Sequence, residues 1–182
     1  MNTNFLHIPQ QPPVFKRGGS KFIMESLVTS CDHKIVEYFQ KVPDKLNIYT
    51  FRVVKLAKAF TIDFAVRVVK TKRVMYKIDN FDGCQFLMNP LMNRVFGTVY
   101  KRLVVNGSFF SCPIRPGVYY IRNEGSVAML PAFQPPGRYQ ITMRVRMHES
   151  GDPFVMEMLW VYSVVRNKEN RAFTEIKNHI LI

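Results

Sequence analysis

One eleven-residue segment shows a strict alternation of apolar and polar side chains. Arg138 to His148 reads RYQITMRVRMH, with an apolar residue at every second position. Because successive side chains of a β-strand point to opposite faces, this period of two predicts a half-buried antiparallel strand. A turn-forming segment, 149–153, separates it from the apolar segment Phe154 to Val165, so the two predict a β-hairpin. One face of the second strand carries Met156, Met158, Trp160 and Tyr162.

Other short apolar segments, separated by glycine and proline turns, predict further strands from Phe22 onward. They are Leu46–Leu56 and Phe60–Val69, which we expect to pair with each other, and Val74–Phe81, Gly117–Arg122 and Gly125–Leu130. This organisation predicts a mainly β fold, an immunoglobulin-like antiparallel β-sandwich or β-cup. We expect a flexible N-terminal arm at 1–21, the domain at 22–166 and a C-terminal tail at 167–182.

One segment departs from the β pattern and predicts an amphipathic helix inserted in the sandwich. Asn89-Pro90 resembles an N-cap followed by proline at the first helical position, and Asn106-Gly107 suits the helix end. Apolar residues recur between them at helical spacing. They are Leu91, Val95, Val99 and Leu103, with Met92, Phe96 and Tyr100 on the adjoining stripe. Cys84 and Cys112 flank this helix, either as a disulfide or as two separate buried thiols.

The titratable residues do not form a pattern for catalysis or metal binding. No Cys-x-x-Cys pair occurs and the four histidines are scattered, so we expect no metal and no cofactor. Neither a nucleophile elbow nor a glycine-rich phosphate loop is present. Cys31-Asp32-His33 places a thiol beside an imidazole, but a nucleophile and its base usually come from distant segments. A structural or disulfide role for Cys31 is favoured, and we predict no catalytic residues and no enzymatic activity.

The charge balance admits an anionic partner. Lys and Arg number 26 against 13 Asp and Glu, a net charge of +13. Several cluster between positions 52 and 73: Arg52, Lys55, Lys58, Arg67, Lys70, Lys72 and Arg73. The alternatives are a solvated basic face, an anionic membrane surface and nucleic acid, and the last is not expected because the nearby aromatics follow the apolar phase of the strands. One contiguous Lys/Arg face would favour a basic interaction module that binds an anionic membrane surface or a partner protein.

The large number of bulky apolar side chains favours a function in the interior of the domain. Fifteen Phe, ten Met, eight Tyr and one Trp are many large side chains for one domain. Methionine adapts to irregular space, and sheets that splay apart can hold an apolar ligand, although an ordinary packed core is the alternative. The candidate cavity residues are Phe64, Val66, Leu91, Val95, Phe96, Val99, Tyr139, Ile141, Met143, Met158 and Trp160.

The order of several short motifs resembles a known family. Asp82–Asn89, DGCQFLMN, resembles the D-x-C-x-F-L-x-N block of an insect family of unknown function, DUF1091-type. That family is related to the MD-2-related lipid-recognition proteins and the ganglioside-activator-like proteins. Cys112-Pro113 after the sequon at Asn106, and the strand start at Pro135–Tyr139, continue the resemblance.

The resemblance implies a secreted glycoprotein with a lipid-recognition-like β-sandwich. It implies non-enzymatic binding or presentation of a hydrophobic small molecule or lipid, in insect chemosensation or lipid handling, with a receptor as a further partner. It also implies a Cys84–Cys112 disulfide and glycosylation at Asn106. Secretion is expected although the first residues do not resemble a signal peptide. Relatives carry two further cysteines before the first long strand. This chain has only Cys31 in that region, so we expect Cys31 to be unpaired.

Overall fold

The computed structural model describes residues 14–17, 19–45, 47–89, 100–105, 111–123, 130 and 134–166. Its strands are β1 (Val14–Arg17), β2 (Ser20–Cys31), β3 (Val36–Lys41), β4 (Ile48–Val53), β5 (Phe60–Val68), β6 (Val74–Asp82), β7 (Gly117–Arg122), β8 (Gly137–Met147) and β9 (Met156–Arg166). They form a six-stranded antiparallel sheet in the order β1-β2-β9-β8-β5-β6 and a three-stranded one in the order β3-β4-β7. Buried residues of both sheets share one apolar core. The mainly β sandwich is therefore confirmed.

The hairpin that the alternation predicted is formed by β8 and β9, which lie at the centre of the six-stranded sheet. Its register runs from Gly137 opposite Val164 to Val145 opposite Met156. The odd positions of β8 and the even positions of β9 turn toward the core, so the predicted apolar face of β9 is buried. Both strands have neighbours on both sides, β5 beside β8 and β2 beside β9.

The predicted pairing of Leu46–Leu56 with Phe60–Val69 is wrong. β4 pairs with β3 and β7, whereas β5 pairs with β8 and β6 in the other sheet. The connection between β4 and β5 crosses from one sheet to the other, and the backbone of Ala57 exchanges two hydrogen bonds with Ile114 on the way, at 2.9 and 2.8 Å. Short-range alternation identifies each strand but does not specify its partner, because a hairpin and a crossing between sheets need similar turns.

The N-terminal part of the sheet extends beyond the predicted domain start. Val14–Arg17 pairs with the beginning of β2, and the sequence had assigned both to the arm. β2 continues along β9 with a register shift between Met24 and Ser26. Residues 1–13, the tail at 167–182 and all of the predicted strand Gly125–Leu130 except Leu130 lie outside the described residues.

A short helix, α1 (Gly83–Met88), begins directly after β6. The Asp82 carboxylate is its N-cap and accepts a hydrogen bond from the Gln85 N–H at 2.8 Å. Gly83 is required because a Cβ atom there would collide with the ring of Phe60. Asn89 is the C-cap of α1.

The predicted long helix falls mainly on residues 90–99, which lie outside the described residues. Residues 100–103 are helical, and Val104 then forms a bridge with Ile121 of β7. The helix end predicted at Asn106-Gly107 is therefore wrong by about one turn, because pairing with β7 takes over the backbone at Val104.

Candidate ligand site

The face of the six-stranded sheet that turns toward the three-stranded sheet, here called the inner face, carries two rows of side chains in register. The Trp160 row runs across β9, β8, β5 and β6 and consists of Trp160, Ile141, Val66 and Tyr76. The Met158 row lies one step along the same strands and consists of Met158, Met143, Phe64 and Ile78. Residues that pair across neighbouring strands share a face, so each row is a continuous apolar strip.

The rows bring together six of the residues that the sequence predicted to line a cavity. Tyr139, a seventh, lies on the same face, opposite Val68 of β5 and Tyr162 of β9. The four predicted residues of the helix, Leu91, Val95, Phe96 and Val99, lie outside the described residues. The described part of the prediction is thus one surface, on three adjacent strands.

Burial decreases along each row toward the edge strand β6. Trp160 is 1% exposed and Met158 2%, whereas Phe64 and Tyr76 are half-buried and Ile78 is 51% exposed. The six-stranded sheet is wider than its three-stranded partner, so the second sheet cannot cover every strand equally. The inner face is therefore closed at β9 and accessible at β6.

Two polar atoms in the Trp160 row are buried and make no hydrogen bond of good geometry with the described residues. They are the Nε1 atom of Trp160 and the hydroxyl oxygen of Tyr76, and the latter still interacts with the hydroxyl of Tyr162. Leaving a buried donor unpaired costs about 1–3 kcal/mol, and most such groups in native proteins have a partner. Burial also raises the pKa of Tyr76 to about 12, so its hydroxyl keeps its proton at neutral pH. The row therefore presents an indole N–H and a phenol O–H on an apolar wall.

A neighbouring polar pair shows the contrast. The Tyr162 hydroxyl accepts a hydrogen bond from Gln134 Nε2 at 2.9 Å and lies 3.0 Å from Gln134 Oε1. Burial raises the pKa of Tyr162, and Gln134 itself is buried. The Tyr162 hydroxyl is therefore hydrogen-bonded within the core, and it also interacts with the hydroxyl of Tyr76.

A separate groove of about 450 Å³ lies on the three-stranded sheet. It contains none of the predicted cavity residues: its lining is Tyr38, Arg52, Val53, Val54, Pro116, Gly117 and Val118. Its one cation is engaged, since Arg52 Nη1 lies 2.8 Å from a Glu37 carboxylate oxygen. The groove therefore offers apolar walls without a free charge to select a ligand.

Cys31 and His33 are adjacent, but their geometry does not activate the thiol. The His33 Nδ1 atom lies 2.8 Å from the carbonyl oxygen of Glu37, which can only accept a hydrogen bond. Nδ1 therefore carries the proton and cannot remove one from the Cys31 Sγ atom 3.5 Å away. Burial raises the pKa of the free Cys31 thiol and outweighs the backbone hydrogen bonds that lower it. The raised pKa disfavours the thiolate.

Metal ligands do not converge in the described part of the chain, where no three His, Cys, Asp or Glu side chains group around one point. Over the same residues, no helix is long and apolar enough to cross a membrane.

Part of the inner face lies within a recognisable family segment. Residues 60–141 match DUF1091, a family of proteins of unknown function. No curated protein matches the chain. The DUF1091 segment spans β5 and β6 completely, enters β8, and contains both Cys84 and Cys112. These two cysteines form a disulfide in the structure, with Cα atoms 5.6 Å apart, as the motif resemblance implied.

The sequence interpretation missed Tyr76 and Ile78, although a signal for them was present. The two alternate with Lys77, so both belong to one face of β6. Which face this is depends on the irregular register of β5 and β6, which shifts twice. Gln134 carried no signal, because only the folded chain brings it to Tyr162.

Proposed function

We propose that this protein binds an apolar, lipid-like molecule against the inner face and performs no chemistry on it. The observation that carries the proposal is the Trp160 row, an apolar strip in which the buried indole N–H of Trp160 has no hydrogen-bond partner among the described residues. Ligand sites for lipid-like molecules combine apolar walls with a few polar groups that orient the ligand. The indole of Trp160 and the hydroxyl of Tyr76 would serve as those polar groups.

The gradient of burial suggests a direction of entry. Phe64, Tyr76 and Ile78 lie toward the edge strand, where the inner face is accessible, and the deepest positions belong to β9. An acyl chain or other apolar tail would enter beside β6 and lie along the Met158 row, whose methionines can adapt to its shape. A carbonyl, ether or hydroxyl oxygen of the ligand would accept hydrogen bonds from the two donors.

The wider setting of the proposal comes from the motif order. The DGCQFLMN block, the Cys112-Pro113 pair and the sequon at Asn106 favour a relationship to MD-2-related lipid-recognition proteins. On that basis we propose a secreted glycoprotein that handles or presents hydrophobic molecules, in insect chemosensation or lipid transport.

Extraction of the purified protein tests the proposal directly. Native mass spectrometry should show protein with a non-covalently bound apolar molecule, and organic extraction should release that molecule for identification. Protein from a delipidating column, incubated with a fatty acid and a sterol, should regain one of them at a defined stoichiometry. Protein that remains ligand-free under both conditions would contradict the proposal.

A pair of matched variants locates the site. Ile78→Glu introduces a charge at the accessible part of the inner face, whereas Val28→Glu makes the same kind of change at a position 59% exposed on the opposite face. Because a carboxylate is poorly tolerated beside an apolar chain, Ile78→Glu should weaken binding about tenfold or more. Val28→Glu should bind like the wild type. Equal affinities for the two variants would place any ligand elsewhere.

A further inference from the structure

Positive charge concentrates at one end of the six-stranded sheet, where β1, β5 and β9 end and β2, β6 and β8 begin. We call this region the basic end. Among the described side chains it contains Lys16, Lys21, Arg67, Lys70, Lys72, Arg73, Arg138 and Arg166. Glu25 is the acidic side chain described there, and it is engaged by Arg138 and Ser163.

The structure divides the basic cluster that the sequence showed between positions 52 and 73. Arg67 and the β5–β6 turn lie at the basic end, whereas Lys58 lies at the opposite end of the sandwich. There its backbone N–H donates to Glu149 in the β8–β9 turn at 2.8 Å. Four strands that are distant in sequence add basic residues to this end. They are β1 with Lys16, β2 with Lys21, β8 with Arg138 and β9 with Arg166. The result is a larger concentration of charge than the sequence segment itself indicates.

The β5–β6 turn, residues 69–73, holds its lysines at the tip of this end. The N–H of Lys72 donates to the carbonyl of Val68 at 2.8 Å, and the N–H of Val68 donates to the carbonyl of Arg73 at 2.9 Å. Lys72 has a φ of 59°, a left-handed conformation that favours Gly or Asn. A strained turn position is thus occupied by a cation, although a neutral residue would fit the backbone better.

Apolar side chains are exposed among these cations. Val74 begins β6 and is 44% exposed, and Val165 near the end of β9 is 38% exposed. Long basic side chains can reach past such residues to anionic groups while the apolar side chains contact the layer below. The strand spacing gives the six strands a width of about 24 Å, which suits an extended, flat partner.

We propose that the basic end docks on the surface of an anionic lipid bilayer. Lysine and arginine clusters are attracted to anionic headgroups, and the exposed valines suit the interfacial layer beneath them. Single-stranded nucleic acid fits less well, because it requires accessible aromatic rings. The rings of Tyr139 and Tyr162, on the inner face near this end, are buried. The proposal is independent of ligand binding in the interior.

Vesicle flotation tests the docking surface with the intact protein. The vesicles consist of phosphatidylcholine alone or of phosphatidylcholine with phosphatidylserine. The test variant, Lys70→Gln/Lys72→Asn/Arg73→Gln, neutralises the turn. The control variant, Lys55→Gln/Lys58→Gln/Arg115→Gln, removes the same charge from exposed side chains outside the basic end. Thermal melting of all three proteins shows that any difference is not loss of the fold.

We expect wild-type protein to float with the anionic vesicles and not with the neutral ones. Removal of one basic residue near a membrane surface weakens binding about fivefold. The turn variant lacks three, so its affinity for anionic vesicles should be about a hundredfold lower than that of the wild type. The affinity of the control variant should fall by less than about tenfold. Equal losses in the two variants, or no binding to anionic vesicles, would overturn the proposal. So would a single-stranded oligonucleotide that binds more tightly than the vesicles and displaces the protein from them.

Discussion

Cys84 and Cys112 join the first turn of α1 to the segment that precedes β7. Their disulfide closes a loop that spans 28 positions, and it encloses the segment on which the long helix was predicted. The covalent link anchors Cys112 to the core, because Cys84 is buried there and its Sγ atom lies 3.8 Å from the carbonyl oxygen of Lys58, just before β5.

Replacing this disulfide should destabilise the fold substantially. Loop closure of this length predicts a loss of about 3–4 kcal/mol in the free energy of unfolding for Cys84→Ala/Cys112→Ala. Urea denaturation measures the difference. Cys31→Ala removes a free, half-buried thiol and should cost less than about 1 kcal/mol. If a reductant leaves the wild-type unfolding curve unchanged, the disulfide does not contribute as described.

Asp63 should contribute more to stability than its neighbour Asp79. The Asp63 carboxylate is mostly buried, accepts the Asn80 N–H at 2.9 Å and pairs with Arg146. Asp63→Ala removes both interactions and should cost about 1–3 kcal/mol. Among the described residues, Asp79 has an exposed ion pair with Lys77, so Asp79→Ala should cost less than about 0.5 kcal/mol. Equal losses in urea denaturation would contradict the assignment.

Lys72→Gly should stabilise the protein even though it removes a side chain. The left-handed backbone at Lys72 costs a non-glycine residue about 1 kcal/mol, which glycine avoids. Lys70→Gly, in the same turn, relieves no such strain and should be neutral or slightly destabilising. The midpoint of thermal unfolding should therefore rise for Lys72→Gly and not for Lys70→Gly. A lower midpoint for this variant would show that the turn does not strain Lys72.

The contribution of Glu25 should disappear in acid. A hydrogen bond from Ser163, followed by the interactions with Arg138, holds its pKa below the usual value. A folded-state pKa that is lowered stabilises the protein above the unfolded pKa, about 4.3, and this stabilisation is lost as the pH falls through the folded value. The stability difference between wild type and Glu25→Gln should be constant from pH 7 to about pH 5 and shrink below about pH 4. A difference that persists unchanged in strong acid would contradict the assignment.

Much of the inner face was predictable because its signal is local. The alternation in β8 and β9 identifies which side chains share a face, and Trp160, Met158, Ile141 and Met143 do lie together. The neighbouring strand β5 follows the same rule, so Phe64 and Val66 were placed on that surface from the sequence. The period of two is a property of each strand and survives any choice of partner.

Strand partners and polar contacts were not predictable in the same way. β4 and β5 are consecutive but belong to different sheets, because the chain crosses between the sheets near Ala57. The role of Tyr76 depends on the register shifts between β5 and β6, and the basic end depends on strands that are far apart in sequence. These features depend on pairing between residues that are distant in sequence, and a short sequence segment carries no information about such pairing.

Fluorescence of Trp160 reports on ligand binding at the inner face, because Trp160 is the one tryptophan of the chain and lies in the Trp160 row. Delipidated protein is titrated with a fatty acid brominated along its chain, and the unbrominated acid is the control. Bromine quenches only at short range, so we predict saturable quenching by the brominated acid, little change with its control, and little quenching by aqueous iodide. An emission that does not respond to the brominated acid at concentrations where the acid is bound would contradict a ligand site on the inner face.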